Sequence, residues 1–474
     1  MEEEFLNYDD EQIVGLIERF EAMLDEDDHY FFDVEEFESI IDYYLERKNF
    51  KKSKLAIKYA SLQHPNASSI LLKLSQFYIF SNKFKDALEK LSDLEILEPT
   101  NSDIYLTRAS IYSRLKEYEK AISEYFKAIT FSEDKDEIFN SIAYEYENLG
   151  NYSKAIDYFK KAIKIKPKND SILYELSFCY EIANKIEEGI DFLKDYTDKN
   201  PYSKTGWFNL GVAYSNMGLY ENAINAYEYV VAIDEKFASA YFNIANAYAN
   251  LEQHHKAIEI YLETFNYEDP EAMTYYYIAE CFEKLEDYTS ASDYYRKALH
   301  IDDTLSDAWI GLAFANVEMR NISHALKYVD KALEIDSTNP EYWFLHGDLQ
   351  HKLELWDKAL SSYKKVSELD PQNFEIWIEY SNVYAELEEY DKAITTIKKG
   401  IEKNPESSEL LYRLTAYLLK SKYTKEAYQY FELGLQTNYR KFHHLFDYFP
   451  QIKNNHTLIE LVELYKDKKI KKKE

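Results

Sequence analysis

From residue 68 onward, apolar side chains fall at the i, i+3, i+4 and i+7 spacing of one helical face, broken at regular intervals by short polar turns. Trp207, Leu210, Gly211 and Tyr214 follow that spacing, Gly218-Leu219-Tyr220 interrupts it, and Ala223, Tyr227 and Val230 resume it. The pattern predicts two antiparallel helices per segment, each of about 13 residues and roughly 20 Å long. The segment then repeats. Ala87, Ala121, Ala155, Gly189, Ala223, Ala257, Ala291, Ala325, Ala359, Ala393 and Ala427 follow one another at intervals of 34 residues. Equal steps leave no room for linkers, so one continuous array is expected where a chain of 474 residues would otherwise suggest about three domains. Ala56 stands only 31 residues before Ala87, which predicts a shortened first unit.

Other positions keep the same phase. Sixteen residues before the marker stand large side chains, among them Tyr105, Phe139, Trp207, Tyr241, Trp309, Trp343 and Trp377. Twelve before it the side chain is small, as at Ala109, Ala143, Gly211, Ala245, Ala279, Ala313 and Gly347. Four after it the residue is mostly aromatic: Tyr125, Phe159, Tyr227, Tyr261, Tyr295, Tyr363 and Phe431. Small residues facing alanine let two helix axes approach, while the aromatics fill the gap to the adjacent unit at about 1.5–3 kcal/mol each.

Four segments are expected. Residues 1–36 form an acidic capping helix and loop, with Ile13, Leu16, Ile17, Phe20 and Leu24 on one face of a helix over 11–28. Residues 37–440 form the array of about twelve units. Residues 441–465 form a C-terminal capping segment whose helix, over 457–468, carries Leu458, Leu461, Val462 and Tyr465; residues 466–474 are a lysine-rich tail. Array ends need such caps because their outer faces meet water.

Composition narrows the class. Ten glycines and nine prolines are too few for an all-β chain. No apolar run reaches the length of a membrane span, the acidic start is unlike a leader peptide, and two cysteines make no disulfide framework, so a cytoplasmic location is expected. A net charge of −30 disfavours nucleic acid and anionic membrane and favours basic partners. Half of that imbalance lies in residues 1–50, which hold 18 acids and 3 bases, while Lys466, Lys468, Lys469, Lys471, Lys472 and Lys473 crowd the other end.

The run Trp207-Phe208-Asn209-Leu210-Gly211-Val212-Ala213-Tyr214, and Phe139 to Tyr146 followed by Ala155, Phe159 and Pro167, resembles the tetratricopeptide repeat (TPR) signature. The resemblance covers about 400 residues. It implies an all-α fold, a right-handed α-solenoid of stacked helix pairs, whose concave groove holds peptides or proteins. The turn glycine of the signature survives only at Gly150 and Gly218. Carried over by position, the groove would include Phe208, Phe242, Tyr276, Phe344 and Tyr412, the asparagines Asn209 and Asn243, and further along the helices Asn216, Asn246, Asn250 and Asn382. An amide both donates and accepts, so this ladder suits an extended backbone; the same asparagines also fit a reading in which they only cap or solvate helices. Relatives that clamp a C-terminal carboxylate use lysine and arginine there, whereas this chain has greasy residues rimmed by Glu147, Glu181, Glu280, Glu283, Asp348 and Glu386. A basic, partly apolar segment is the expected ligand.

Chemistry is sparse. Asp25-Glu26-Asp27-Asp28 resembles a calcium loop except that Tyr30 stands where that loop needs glycine. His254-His255 and His443-His444 are adjacent, and adjacent helical side chains are expected to diverge, so no metal site is assigned. Cys179 and Cys281 occupy equivalent core positions. No cofactor and no catalytic residue are expected, and the function expected is a non-catalytic scaffold for protein segments. Two rivals stand beside it: salt-dependent self-assembly of the acidic N-terminal end on the lysine-rich C-terminal end, and a substrate-recognition subunit for a separate enzyme.

Overall fold

The computed structural model describes residues 10–26 and 30–470, and the elements in them are helices without a strand. The chain divides into two compact units, Met1–Glu235 and Lys236–Glu474. The first holds helix Asp10–Glu26 and six antiparallel pairs, from Val34–Glu46 with Phe50–Gln63 to Lys204–Asn216 with Tyr220–Ile233. The second holds six more, from Ala238–Asn250 with His254–Thr264 to Ser408–Lys420 with Thr424–Asn438, then two short 3-10 turns and helices His443–Tyr448 and His456–Ile470. Among the described residues no helix is long and apolar enough to cross a membrane.

The first pair corrects one expectation. It is not shortened: Val34 and Phe50 begin their helices 34 residues before Ser68 and Phe84. Ser53, fully buried, holds the place that Ala87 holds in the next pair. A serine adds only one oxygen to an alanine, here a buried Oγ with no hydrogen-bond partner, so the register survives while the alanine pattern shifts to Ala56.

Glycine is not what makes the turns. Within every pair the chain leaves the first helix through a residue of positive φ, glycine at 150 and 218 but a side-chain-bearing residue at ten others, including Lys48, Asn82, Glu354 and Glu388. The hydrogen bonds explain it. Asn82 N–H donates to the Ile79 carbonyl at 3.0 Å and Lys83 N–H to the Tyr78 carbonyl at 2.7 Å, the two-bond closure that satisfies the last carbonyls of a helix. Left-handed backbone costs a residue with a Cβ about 1–2 kcal/mol. Glu354→Gly, with φ of 58° at this turn, is therefore expected to raise the urea midpoint of the second unit modestly, by about 1 kcal/mol of stability; an unchanged or lower midpoint counts against strain there.

Packing inside a pair sets small against large. A Cβ at Gly211 would lie 2.5 Å from the Tyr227 ring, and one at Gly347 would lie 2.6 Å from that of Tyr363. The tryptophans behave differently from the expected inter-unit filler. Trp207 stacks on Tyr229 of its own pair with centroids 4.1 Å apart, and Trp309 on Tyr328 at 5.9 Å. Each indole Nε1 also donates to the carbonyl six residues upstream, Trp207 to Pro201, Trp309 to Asp303, Trp343 to Ser337 and Trp377 to Pro371, at 2.9–3.0 Å. Between pairs it is the tyrosine after the marker that bridges: Tyr295 covers Gly311 of the following pair, and Tyr261 stacks on Tyr277 at 6.1 Å.

One core row, thirteen residues before the marker, is aliphatic at Leu176, Leu210, Ile244, Ile278 and Leu312. Arg108 and His346 break it. Arg108 binds Glu95 at 2.6 Å and Glu124 at 3.1 Å and also donates to the Leu91 carbonyl. His346 places one ring nitrogen 2.9 Å from Ser362 Oγ and the other 2.9 Å from Asp330 Oδ1.

At the ends, Ile17, Phe20 and Met23 of the first helix bury against Phe32, Phe37 and Tyr44, and Leu458 and Val462 bury near Phe431 and Leu435. The calcium-like run at residues 25–28 and the lysines from Lys468 on lie outside the residues whose side chains are described.

Candidate functional site

The predicted site residues fall in both units and are taken unit by unit. On helix Lys204–Asn216 of the first, Phe208 is half-buried, Asn209 is buried at 4% exposure, and Asn216 is exposed. On helix Ala238–Asn250 of the second, Phe242, Asn243 and Asn246 are half-buried and Asn250 is exposed. Tyr276, Phe344 and Asn382, all half-buried, follow on the first helices of later pairs.

The aromatics share one arrangement. Phe208 packs on Tyr227 at 5.7 Å, Phe242 on Tyr261 at 5.6 Å, Tyr276 on Tyr295 at 5.8 Å and Phe344 on Tyr363 at 6.0 Å. Each is thus the half-exposed outer ring of a tilted or edge-to-face pair whose inner ring belongs to the core. Tyr412, expected in the same row, departs from it: it is fully buried, because the C-terminal helices cover it and its hydroxyl donates to the Asn438 carbonyl at 2.9 Å.

The asparagines are partly engaged within the chain. Asn209 Nδ2 donates to the Thr205 carbonyl at 3.0 Å, one turn back in its own helix. Asn246 accepts the Tyr261 hydroxyl, and Asn250 Nδ2 donates to the Asn246 carbonyl at 2.8 Å. Asn382 Nδ2 donates to Glu386 at 3.2 Å. Asn209 and Asn246 each have one end of the amide committed, which leaves the other for a ligand, whereas Asn382 has both engaged, its oxygen accepting from Arg413.

Sequence reasoning missed what the core tyrosines do with their hydroxyls. Tyr295 donates to Glu283 at 2.9 Å and Tyr363 to Asp348 at 2.6 Å, each reaching a carboxylate of the first helix in its pair. Tyr276 donates to Glu280 at 2.8 Å. Burial nevertheless pushes Glu280, Glu283 and Asp348 above the ordinary carboxylate range, and does the same to Glu379; in the first unit it raises Glu147, helped by the charge of Glu175. Burial outweighs the cations nearby, Lys284 for Glu280 and Glu283, Lys352 and His351 for Asp348, and Arg413 and His351 for Glu379. The signal in the sequence was the pairing of an aromatic after the marker with an acid eight or eleven residues before it.

The sign of the pH effect follows. A carboxyl whose folded pKa is raised favours the fold when protonated; that contribution is complete below the unfolded value of about 4.3 and is lost as pH rises through the folded one. Glu283→Gln is therefore expected to stabilise the second unit at pH 7, with the gain shrinking toward pH 4, as read from urea unfolding at both ends of that range; an equal effect at the two pH values would contradict a burial-raised carboxyl.

Two clefts have definite walls. In the first unit Phe208, Asn209 and Asn216 join Tyr174, Phe178 and Glu181 around a cavity of about 240 Å³. In the second, Phe344 joins Asp348, His351, Glu379, Arg413 and Tyr448 around one of about 590 Å³. The structure does not bring Asn382 into that cleft's wall, though its oxygen lies 3.5 Å from Arg413 Nη1.

Two further readings concern reactive groups. Cys179 and Cys281 are buried free thiols, each pushed by burial to about 12, which keeps them protonated and unreactive. His443 and His444 do not diverge as expected. Their rings lie 4.5 Å apart, and with Asp447 they offer three metal-capable atoms within 4.8 Å of one another. The reason is local: His443 opens a six-residue helix straight from a 3-10 turn, where its Nδ1 turns back to the Arg440 carbonyl at 3.1 Å.

Comparison with known proteins gives the following. Sequence models described as tetratricopeptide repeat match residues 102–135, 137–169 and 353–436. One described as anaphase-promoting complex, cyclosome, subunit 3 matches residues 216–298. A comparison with curated proteins finds no match. Among solved structures, the chain is similar to YrrB, described as a TPR protein with an unusual peptide-binding site, with 25% identity over 38% of this chain and 94% of that one and a TM-score of 0.35. It is similar also to the C-terminal part of a TPR repeat-containing protein from Cytophaga hutchinsonii, with 18% identity over 51% of this chain and 99% of that one and a TM-score of 0.46. MamA shares 19% identity over 36% of this chain and 93% of that one, with a TM-score of 0.33.

Proposed function

The chain is a tetratricopeptide-repeat protein, and we propose that it is a non-catalytic scaffold that holds basic, partly apolar segments of partner proteins on the faces built by its first helices. The observation that carries this reading is the combination of half-exposed rings with carboxylates that burial raises in spite of the cations near them. Tyr276 and Phe344 offer apolar area, and Glu280, Glu283, Asp348 and Glu379 stand beside them as carboxylates whose charged form burial disfavours. A lysine or arginine arriving there adds positive charge that stabilises the ionised carboxylates, and the ring beside it covers its aliphatic stem. An acidic ligand would add to the repulsion already present.

Affinity purification from lysate tests it with wild type and with Glu280→Gln, Glu283→Gln and Asp348→Asn combined, substitutions that keep shape and remove charge. The expected result is loss of partners rich in lysine and arginine, with apolar contacts too weak to hold them. Identical partner lists for the two proteins would remove the reading.

A further inference from the structure

Within the first unit the residue four after the marker is Phe159 in one pair and Tyr227 in another, but Leu193 in the pair between them. The marker itself is Gly189 there, and the Tyr180 ring leans over it, so that a Cβ at Gly189 would lie 3.0 Å away. With Tyr180 filling the space over Gly189, the shorter Leu193 borders a cavity of about 240 Å³ between helices Asp170–Ile182, Ile186–Lys199 and Lys204–Asn216. That is room for one side chain and too little for a folded segment.

The wall chemistry is one-sided. Tyr174 and Phe178 stand at the opening, each 44% exposed, and Phe208 faces the same space. Ser177 Oγ is buried in the lining with no hydrogen-bond partner. Glu181 and two asparagine amides complete the polar set, and no lysine, arginine or histidine lines the cavity. In the preceding pair Glu147 Oε2 is buried and likewise without a partner. Acceptors, aromatic faces and negative charge together call for a ligand that donates several hydrogen bonds, stacks on rings and is cationic.

We propose that this pocket receives a single arginine side chain from a partner protein, its guanidinium lying against the aromatic walls and donating to Ser177 Oγ and Glu181. Lysine fits less well, because its compact, strongly hydrated ammonium neither stacks nor forks between acceptors. A phenol would donate once and leave the carboxylate uncompensated. The proposal rests on the scaffold reading only in taking the arginine to come from a bound segment.

Calorimetric titration of the full chain with N-acetyl-arginine N-methylamide tests it, beside the matching citrulline and lysine compounds. Citrulline keeps the shape without the charge and is expected to bind about tenfold more weakly, as is lysine. Leu193→Phe, which restores the side chain found at Phe159, is expected to abolish arginine binding; Glu181→Gln, on an exposed residue that cannot unfold the pair, is expected to weaken it about tenfold. Equal binding of arginine and citrulline, stronger binding of lysine, or binding untouched by both substitutions would overturn the proposal. An arginine compound that binds as expected while partner lists stay unchanged in the charge-removal experiment would leave the pocket standing and sink the wider scaffold reading.

Discussion

Replacing Arg108 with alanine is expected to destabilise the first unit by about 3–5 kcal/mol, the usual cost of removing one member of a buried ion pair. Its side chain is 8% exposed and that of Glu124 10%, so the carboxylate left behind has little access to water. Lys127, 2.7 Å from the other oxygen of Glu124, is half exposed and compensates only in part. The pair is nevertheless not the most stable solution at that place. The same row holds Leu176 and Leu210 elsewhere in the unit, so Arg108→Leu combined with Glu124→Leu is expected to come within about 1 kcal/mol of wild type or to exceed it. Urea unfolding followed through Trp207, the one tryptophan of that unit, reads both proteins. A loss under about 1 kcal/mol for the alanine variant would mean that water reaches Glu124 after all.

Tyr363→Ala is expected to cost the second unit about 3–5 kcal/mol, because the fully buried ring fills the space over Gly347. Tyr363→Phe separates the hydroxyl from the ring. It keeps the packing and removes the 2.6 Å bond to Asp348, for an expected loss of about 1–3 kcal/mol. Burial and the adjacent carboxylate push the Tyr363 phenol upward, so it remains a donor throughout the neutral range. Without that donor Asp348 should hold its proton still more tightly. The phenylalanine variant should then lose more stability at pH 7 than at pH 4, since the contribution of a raised carboxyl is lost as pH rises through its folded value. Equal losses at the two pH values would show that Asp348 is not charged in the fold at pH 7.

The repeat was readable because every pair solves the same packing problem, so side-chain size at a few positions reports the geometry. Where that broke down, the cause was a substitution that preserves geometry while changing letters. Ser53 replaces the marker alanine without changing the space it fills, and Glu354 or Glu388 replaces the turn glycine because the hydrogen bonds of the closure hold its backbone. For the site, positions were readable and partnerships were not. Phe208 and Phe242 could be placed in one row by the family resemblance, but that each rests on a tyrosine, and that Asn209 turns back on Thr205, depends on rotamers that sequence position does not fix. Arg108 and His346 were visible as polar letters in an aliphatic row, and their partners Glu95, Glu124, Ser362 and Asp330 lie on four different helices.

The indole bonds have an optical use. Trp207, Trp309, Trp343 and Trp377 share one hydrogen-bond partner type at one sequence offset, so their emission should start from nearly the same colour. Converting all but one of the five tryptophans to phenylalanine leaves a single lamp at a chosen rung. Four such proteins, denatured side by side, would reveal the order in which rungs go dark, and hence which part of the chain lets go first.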